Sequence, residues 1–172
     1  MNLFILHEDP VLAARDNCDK HCAKIVLEAT QMLANCFSPE ALKDAPETKC
    51  GAVRRHSYYN HPVSKFVRAT RENMRWTIEH AEELERQRLL IGYKSHFSMR
   101  FVKWAKENVY NSVVPNGSLS DFAIAIPQDS NCRRLPNFEE MDAVSKYRNY
   151  YKFDKTFATW KNRKKPAWML DF

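Results

Sequence analysis

The chain predicts a mainly α fold, a single compact helical domain over residues 1–172, and three observations predict it. Apolar residues recur at helical spacing along two long segments, about residues 16–37 and 61–90. Only three glycines occur, too few for a turn-rich β sandwich. The length of 172 residues suits one core, since a domain usually takes about 100 to 200 residues. The one β option is a minor two-stranded β ribbon between MNLFIL at 1–6 and FAIAI at 122–126.

In chain order, Met1 to Leu6 is a short apolar run, and Asp9-Pro10 pairs a helix cap with a proline at the first turn. The first long helix is expected from about Asp16 to Phe37, where Ser38-Pro39 stops it or starts another turn. Residues 38–60 carry Pro39, Pro46 and Gly51 and read as a long surface loop. His61-Pro62 opens a second helix expected to reach Leu90, with Phe66, Ala69, Trp76 and Leu84 on one stripe. A third, from about Ser98 to Asn111, carries Phe101, Val102, Trp104 and Val109, and PNGS at 115–118 ends it. LSDFAIAIPQ at 119–128 reads either as a short helix capped by Ser120 or as the second ribbon strand. NFEE at 137–140 resembles a capping box leading into a helix through Tyr151, and a final short helix is expected to carry Phe157 and Trp160.

Charge is uneven. The net charge is +6, yet residues 1–145 hold 19 basic and 19 acidic residues; the whole excess lies in 146–172, a basic aromatic C-terminal segment. There eight Lys and Arg interleave with Tyr147, Tyr150, Tyr151, Phe153, Phe157, Trp160 and Trp168. That mixture suits phosphates and flat bases, and it equally suits a solvated basic face whose aromatics pack inward. No apolar stretch approaches the ~20 residues of a membrane helix, and no basic region precedes MNLFIL, so a soluble, unsecreted protein without a membrane partner is expected. Five cysteines without a CxxC pair suit a reducing compartment, the cytoplasm. Cys18, His21 and Cys22 lack the fourth ligand and the spacing of a zinc site, so neither metal nor cofactor is expected. No GxxxxGK or GxGxxG occurs to cradle a phosphate.

The informative stretch is NCDKHCAKIVLEATQML at 17–33. At ~100° per residue, His21, Lys24, Glu28 and Gln31 fall within an arc of about 80°, a polar row flanked by Cys18, Ile25, Met32 and Cys36 on one side and Leu27 on the other. Lys24 and Glu28 could be a purely structural i,i+4 pair. If Glu28 compensates a buried Lys24, removing its charge strands a cation at a cost of about 3 to 5 kcal/mol.

Four pieces complete a resemblance: CDKHxxKxxLExxQML at 18–33, HP at 61–62 followed by RxTxxNxxW at 68–76, FxIAxP at 122–127 and YRNYYxxDKxxxxW at 147–160. Together they resemble a family of small uncharacterised proteins encoded by large tailed bacteriophages, and they span nearly the whole chain. The chain departs from that family at Phe66, where relatives tend to carry Trp, and at Thr70, where they tend to carry Ser. The resemblance implies a phage origin, the cytoplasm of an infected bacterial host and shared site residues; it implies no reaction.

The candidate catalytic residues are His21 and Glu28, one for proton transfer near neutral pH and one as base or stabiliser of an oxocarbenium-like centre. The candidate ligand-binding residues are Lys20, Lys24, Gln31, His61, Arg68, Asn73, Trp76, Tyr147, Arg148, Tyr151, Lys155 and Trp160. Lys24, Arg148 and Lys155 suit phosphate, and Trp76 or Tyr151 suits a base. His21, Lys24, Glu28, Asn73 and Arg148 are expected to line one concavity. The leading expectation is a phage accessory protein holding a nucleotide or other phosphorylated small molecule, either as a metal-free enzyme of nucleotide or nucleic-acid modification or as a capture protein countering host defence. The alternative is a non-catalytic module whose basic segment grips nucleic acid or a host protein. A purely structural virion part fits worst, because so many polar groups beside apolar stripes are costly in a scaffold.

Overall fold

The computed structural model describes residues 1–170. Among them are six α-helices and no strand, so the chain is mainly α and the ribbon does not form. The helices are α1 (Pro10–Asp16), α2 (Asp19–Ala34), α3 (Pro62–Val67), α4 (Arg71–Ile91), α5 (Met99–Glu107) and α6 (Ala143–Asp154). None of them is long and apolar enough to cross a membrane.

The core is built on α2 and α4, whose apolar stripes face each other while α1 packs on α4 beside them. Ile25, Val26, Ala29, Met32 and Leu33 of α2 and Met74, Ile78, Ala81 and Leu84 of α4 are all buried. Helix starts follow the capping chemistry of the sequence. Asp9 accepts from the Leu12 amide at 2.8 Å ahead of Pro10, and Asp142 accepts from the Ser145 amide at 2.8 Å. α4 ends at Gly92, whose φ of +101° is the left-handed conformation that glycine adopts without a Cβ penalty.

The expected helix over 61–90 is broken in two at Arg68, Ala69 and Thr70. The break is stabilised by polar side chains rather than by proline. Thr70 caps α4 by accepting from the Asn73 amide, and the Asn73 side chain reaches back to the Phe66 carbonyl at 2.7 Å, satisfying an end of α3. Asn73 also accepts from the Ser120 amide at 2.9 Å. Gly117 lets the chain pass over this junction, since a Cβ there would meet Thr70 at 2.8 Å. Likewise α2 begins at Asp19 instead of Asp16, α5 stops at Glu107, and NFEE forms a short 3-10 turn over Phe138–Glu140, with α6 starting from the Asp142 cap.

Residues 38–60 run without an α-helix, with one 3-10 turn at Ala41–Lys43. They are not all surface, because Leu42 and Ala45 are buried and the Arg54 guanidinium lies over the Phe101 ring at 4.5 Å. MNLFIL and FAIAI do meet, through side chains instead of a ladder. Asn2 Nδ2 donates to the Ala125 carbonyl at 2.9 Å, and the Tyr147 hydroxyl donates to the Ala123 carbonyl at 3.0 Å while accepting from the Ala125 amide at 2.9 Å.

The short helix expected at Phe157 and Trp160 is replaced by an irregular strap tied to the start of α2. Asp19 makes the tie: its amide donates to the Thr159 carbonyl at 2.9 Å, and its carboxylate accepts from Thr159 Oγ1, the Lys161 amide and Arg163 Nη2 at 3.0, 2.8 and 2.7 Å. The Arg163 side chain is only 3% exposed, so this is a buried ion pair. Trp160 Nε1 donates to the Asp16 carbonyl, and Trp168 Nε1 to the Asp16 carboxylate.

Removing one charge of a buried pair is far costlier than removing a surface pair, because the other is left unpaired in a poor solvent. Asp19→Asn is therefore expected to lose about 3 to 5 kcal/mol in urea unfolding, while a loss below about 1 kcal/mol would show that the tie contributes little.

Candidate functional site

The polar row of α2 opens onto a cavity of about 490 Å³. Lys20, His21, Lys24 and Glu28 form one wall, because steps of three and four residues return to the same helix face. Phe4, Tyr150, Lys155 and Phe157 close it from the first segment, α6 and the strap, and Asn2, Ala125 and Pro127 complete the rim.

His21 is buried and its imidazole is oriented by a relay. Asn17 Nδ2 donates to the Ala13 carbonyl at 2.9 Å, leaving its Oδ1 to accept from the Tyr151 hydroxyl at 3.0 Å. Having donated there, the hydroxyl accepts from His21 Nδ1, so the proton of the neutral ring is on Nδ1 and the lone pair on Nε2. Burial, aided by the positive charges of Lys155, Lys24 and Lys20, pushes the His21 pKa down to about 3. The ring is thus neutral at physiological pH, a correction to its expected role as a proton carrier near neutrality.

Phe4 lies parallel to His21, with centroids 4.0 Å apart and planes 11° from coincident; Tyr150 is also near-parallel to it at 6.2 Å and 20°, and Tyr147 and Tyr151 meet it edge-on. Its φ of +49° is left-handed, a strained backbone for an aromatic residue, stabilised by the Phe4 amide donating to Asn2 Oδ1 at 2.9 Å. Asn2 also links this segment to the row, its own amide donating to Glu28 Oε2 at 2.7 Å. Glu28 Oε1 pairs with Lys24 Nζ at 3.1 Å.

Lys24 is 70% exposed along its side chain, so it is not the buried cation that would need Glu28 for survival. Lys155 donates to the Tyr150 hydroxyl at 2.8 Å with its ammonium 4.0 Å from that ring centre, and Lys20 stands 4.5 Å over Phe157. Phe157 in turn sits edge-on to His21 at 5.7 Å. Three ammonium groups and three aromatic rings therefore surround one space beside a single carboxylate.

Of the expected site residues, Lys20, His21, Lys24, Glu28 and Lys155 line the cavity and Tyr151 orients His21 from beneath. His61 caps α3 and stands near enough to Glu28 for that charge to act on it, though burial dominates and lowers its pKa. Gln31 is half-buried one turn beyond the lining. The others do not share the concavity. Asn73 serves the α3–α4 junction; Trp76 donates to the Glu8 carbonyl at 2.6 Å and stacks on His80; Arg68 covers the Tyr59 ring at 3.8 Å. Tyr147 binds the 123–125 backbone and Trp160 binds Asp16. Arg148 donates to the Leu6 carbonyl at 2.9 Å and lies over Trp168, so the grouping of Asn73 and Arg148 with the His21 row is corrected.

In the basic segment Lys146 donates to the Glu139 carbonyl and Arg163 is buried against Asp19, while Lys161, Lys164 and Lys165 are exposed. Asn2, Phe4, Tyr150 and Phe157 were missed as site residues. Neither Asn2 nor Phe4 carries a local signal, whereas Tyr150 belongs to the YRNYY piece one position before Tyr151. Cys22 is buried with its pKa pushed up to about 12, and among the described residues no three His, Cys, Asp or Glu are placed to hold a metal ion. Compared with known proteins, the chain matches no family model, no curated protein and no solved structure.

A pH effect follows from the two buried imidazoles. His80 is fully buried, and burial holds its pKa, like that of His21, near 3 against an ordinary 6.5. Between those values the unfolded chain binds more protons than the fold. Their stabilising effect is fully present above pH 6.5 and is lost on acidification, at up to about 1.4 kcal/mol per pH unit for each group. Urea unfolding from pH 6.5 down to about pH 5, above most carboxylate titrations, should show this slope, with His61 and His96, whose pKa values burial also lowers, adding to it, and His80→Phe should reduce it. An unchanged slope in that variant would remove His80 from the effect.

Proposed function

We propose that the cavity binds a nucleotide or a comparable phosphorylated small molecule. The observation that carries this reading is the convergence of Lys20, Lys24 and Lys155 on one space walled by Phe4, Tyr150 and Phe157. Ammonium groups neutralise phosphate, and aromatic rings offer stacking faces to a base. A volume of about 490 Å³ lies within the ordinary range for small-molecule sites.

The remaining groups fit the polar edges of such a ligand. His21 presents Nε2 as an acceptor for a hydroxyl or N–H, and Glu28 offers the only carboxylate among the lining residues. A capture protein needs nothing more. Turnover assigns the base to Glu28 rather than to His21, whose low pKa makes it a poor proton acceptor. In the phage setting that the sequence resemblance implies, the reading becomes capture or modification of a nucleotide in the cytoplasm of an infected bacterium, with host defence as the process opposed.

Calorimetric titration with mononucleotides and with inorganic phosphate tests this, together with mass spectrometry of small molecules released on heating. Lys24→Ala and Lys155→Ala should each weaken mononucleotide binding about tenfold, the scale of one charge-assisted hydrogen bond. Absence of binding by every mononucleotide at millimolar concentration, with nothing released on heating, would falsify the proposal.

Glu28→Gln separates ligand work from packing. Gln retains an acceptor for the Asn2 amide, and the exposed Lys24 is readily hydrated, so the stability loss should be about 1 kcal/mol rather than the 3 to 5 of a stranded buried cation. Ligand affinity or turnover should change about tenfold in the same variant. A normal melt with unaltered binding and activity would exclude Glu28 from the site's chemistry.

A further inference from the structure

The lysine cavity has a neighbour. A second concavity of about 470 Å³ adjoins it, lined by Lys20, Tyr93, Phe157, Thr159 and Lys161 around Asp19. Lys20 and Phe157 line both.

Phe157 is 43% exposed, yet its backbone belongs to the strap that Asp19 fastens at Thr159, Lys161 and Arg163. An aromatic side chain held out into solvent on a fastened segment is a wedge with a fixed position. Tyr93 supplies a second exposed ring on the far side, just past the Gly92 end of α4. Cations stand along the same path: Lys24 and Lys155 in the first cavity, Lys20 at the shared wall and Lys161 in the second.

Asp19 does not spoil the second space for an anion. One carboxylate oxygen is paired with buried Arg163, and the other accepts from the Lys161 amide and Thr159 Oγ1. Its side chain is only 12% exposed, so its charge is neutralised within the protein.

We propose that the second concavity is a second nucleotide subsite, so that the ligand is two nucleotides joined by one phosphodiester, with the bridging phosphate at Lys20, which stands over the Phe157 ring, one base in the first cavity and the other at Tyr93 in the second. The inference rests on the nucleotide reading of the first cavity and extends it to the ligand's length. Alternation of cation and aromatic ring is the pattern by which proteins follow a single strand, each stacked base adding about 1 to 3 kcal/mol in other systems. Two sources share this chemistry, a free linear dinucleotide and the end of a longer single strand.

The test measures affinity of the whole protein for dTMP, for the 5′-phosphorylated dithymidine dinucleotide and for a thymidine decanucleotide, with dTMP as the internal reference. The dinucleotide should bind about tenfold or more tightly than dTMP, and Lys161→Glu should abolish that advantage. Tyr93→Ala, at an exposed residue, should reduce it without a change in melting temperature. A decanucleotide that binds more tightly still and weakens steeply with salt assigns the strand end; equal affinity assigns the free dinucleotide. Binding of dTMP with no gain for the dinucleotide, or failure of all three thymidine ligands while another mononucleotide binds, overturns this inference alone, whereas failure of these three and of every other mononucleotide overturns the nucleotide reading as well.

Discussion

The carboxylate of Asp19 is the interaction on which the rest of the site depends. It stands at the first position of α2, where a negative charge is favoured by the helix dipole, and it gathers Thr159, Lys161 and Arg163 from the far end of the chain. Fastening the strap there brings Phe157 edge-on to His21 and sets Lys155 across from Lys24 in the same cavity. The C-terminal segment contributes more than positive charge. It closes a cavity that α2 leaves open on one side.

Beneath that closure the structure spends polar groups on orientation. The line from the Ala13 carbonyl through Asn17 and Tyr151 to His21 fixes a tautomer, and burial among lysines keeps the ring neutral. The two effects agree in direction, since a low dielectric and nearby cations both disfavour an imidazolium. Phe4, held in a left-handed conformation by the Asn2 side chain, completes the stack against that ring. Strain of this kind persists only where surrounding contacts over-determine the backbone, and Asn2 is tied to both Glu28 and Ala125.

Helix α4 provides the counterweight on the other side of the core. Its Glu83 is buried, which by itself raises a carboxyl pKa, yet hydrogen bonds from Arg15, Arg86 and Gln87 bring it below the ordinary value. This locks α1 to α4, while Arg88 reaches from α4 to the Ala23 carbonyl and so holds α2 in place. The polar row of α2 therefore sits on a support that is itself tied by charge-assisted bonds, which are stronger than neutral ones.

Much of the helical skeleton and half of the site followed from local spacing. The stripes of α2 and α4, the caps at Asp9 and His61-Pro62, and the shared face of His21, Lys24 and Glu28 all express a rotation of ~100° per residue and nearby capping chemistry. The break at 68–70 was hidden because it is stabilised by Asn73 bonding to Phe66 and to Ser120, a partner 47 residues away. The failure of the ribbon has a similar cause, with Tyr147 and Asn2 taking the backbone groups a ladder would have used. By itself the sequence determined which residues share a helix face, because that geometry is local. Only the tertiary structure decided that Lys155 and Phe157 would meet that face and that Arg148 and Asn73 would not, because those outcomes depend on contacts such as Asp19 with Thr159, 140 residues apart, that no local periodicity encodes.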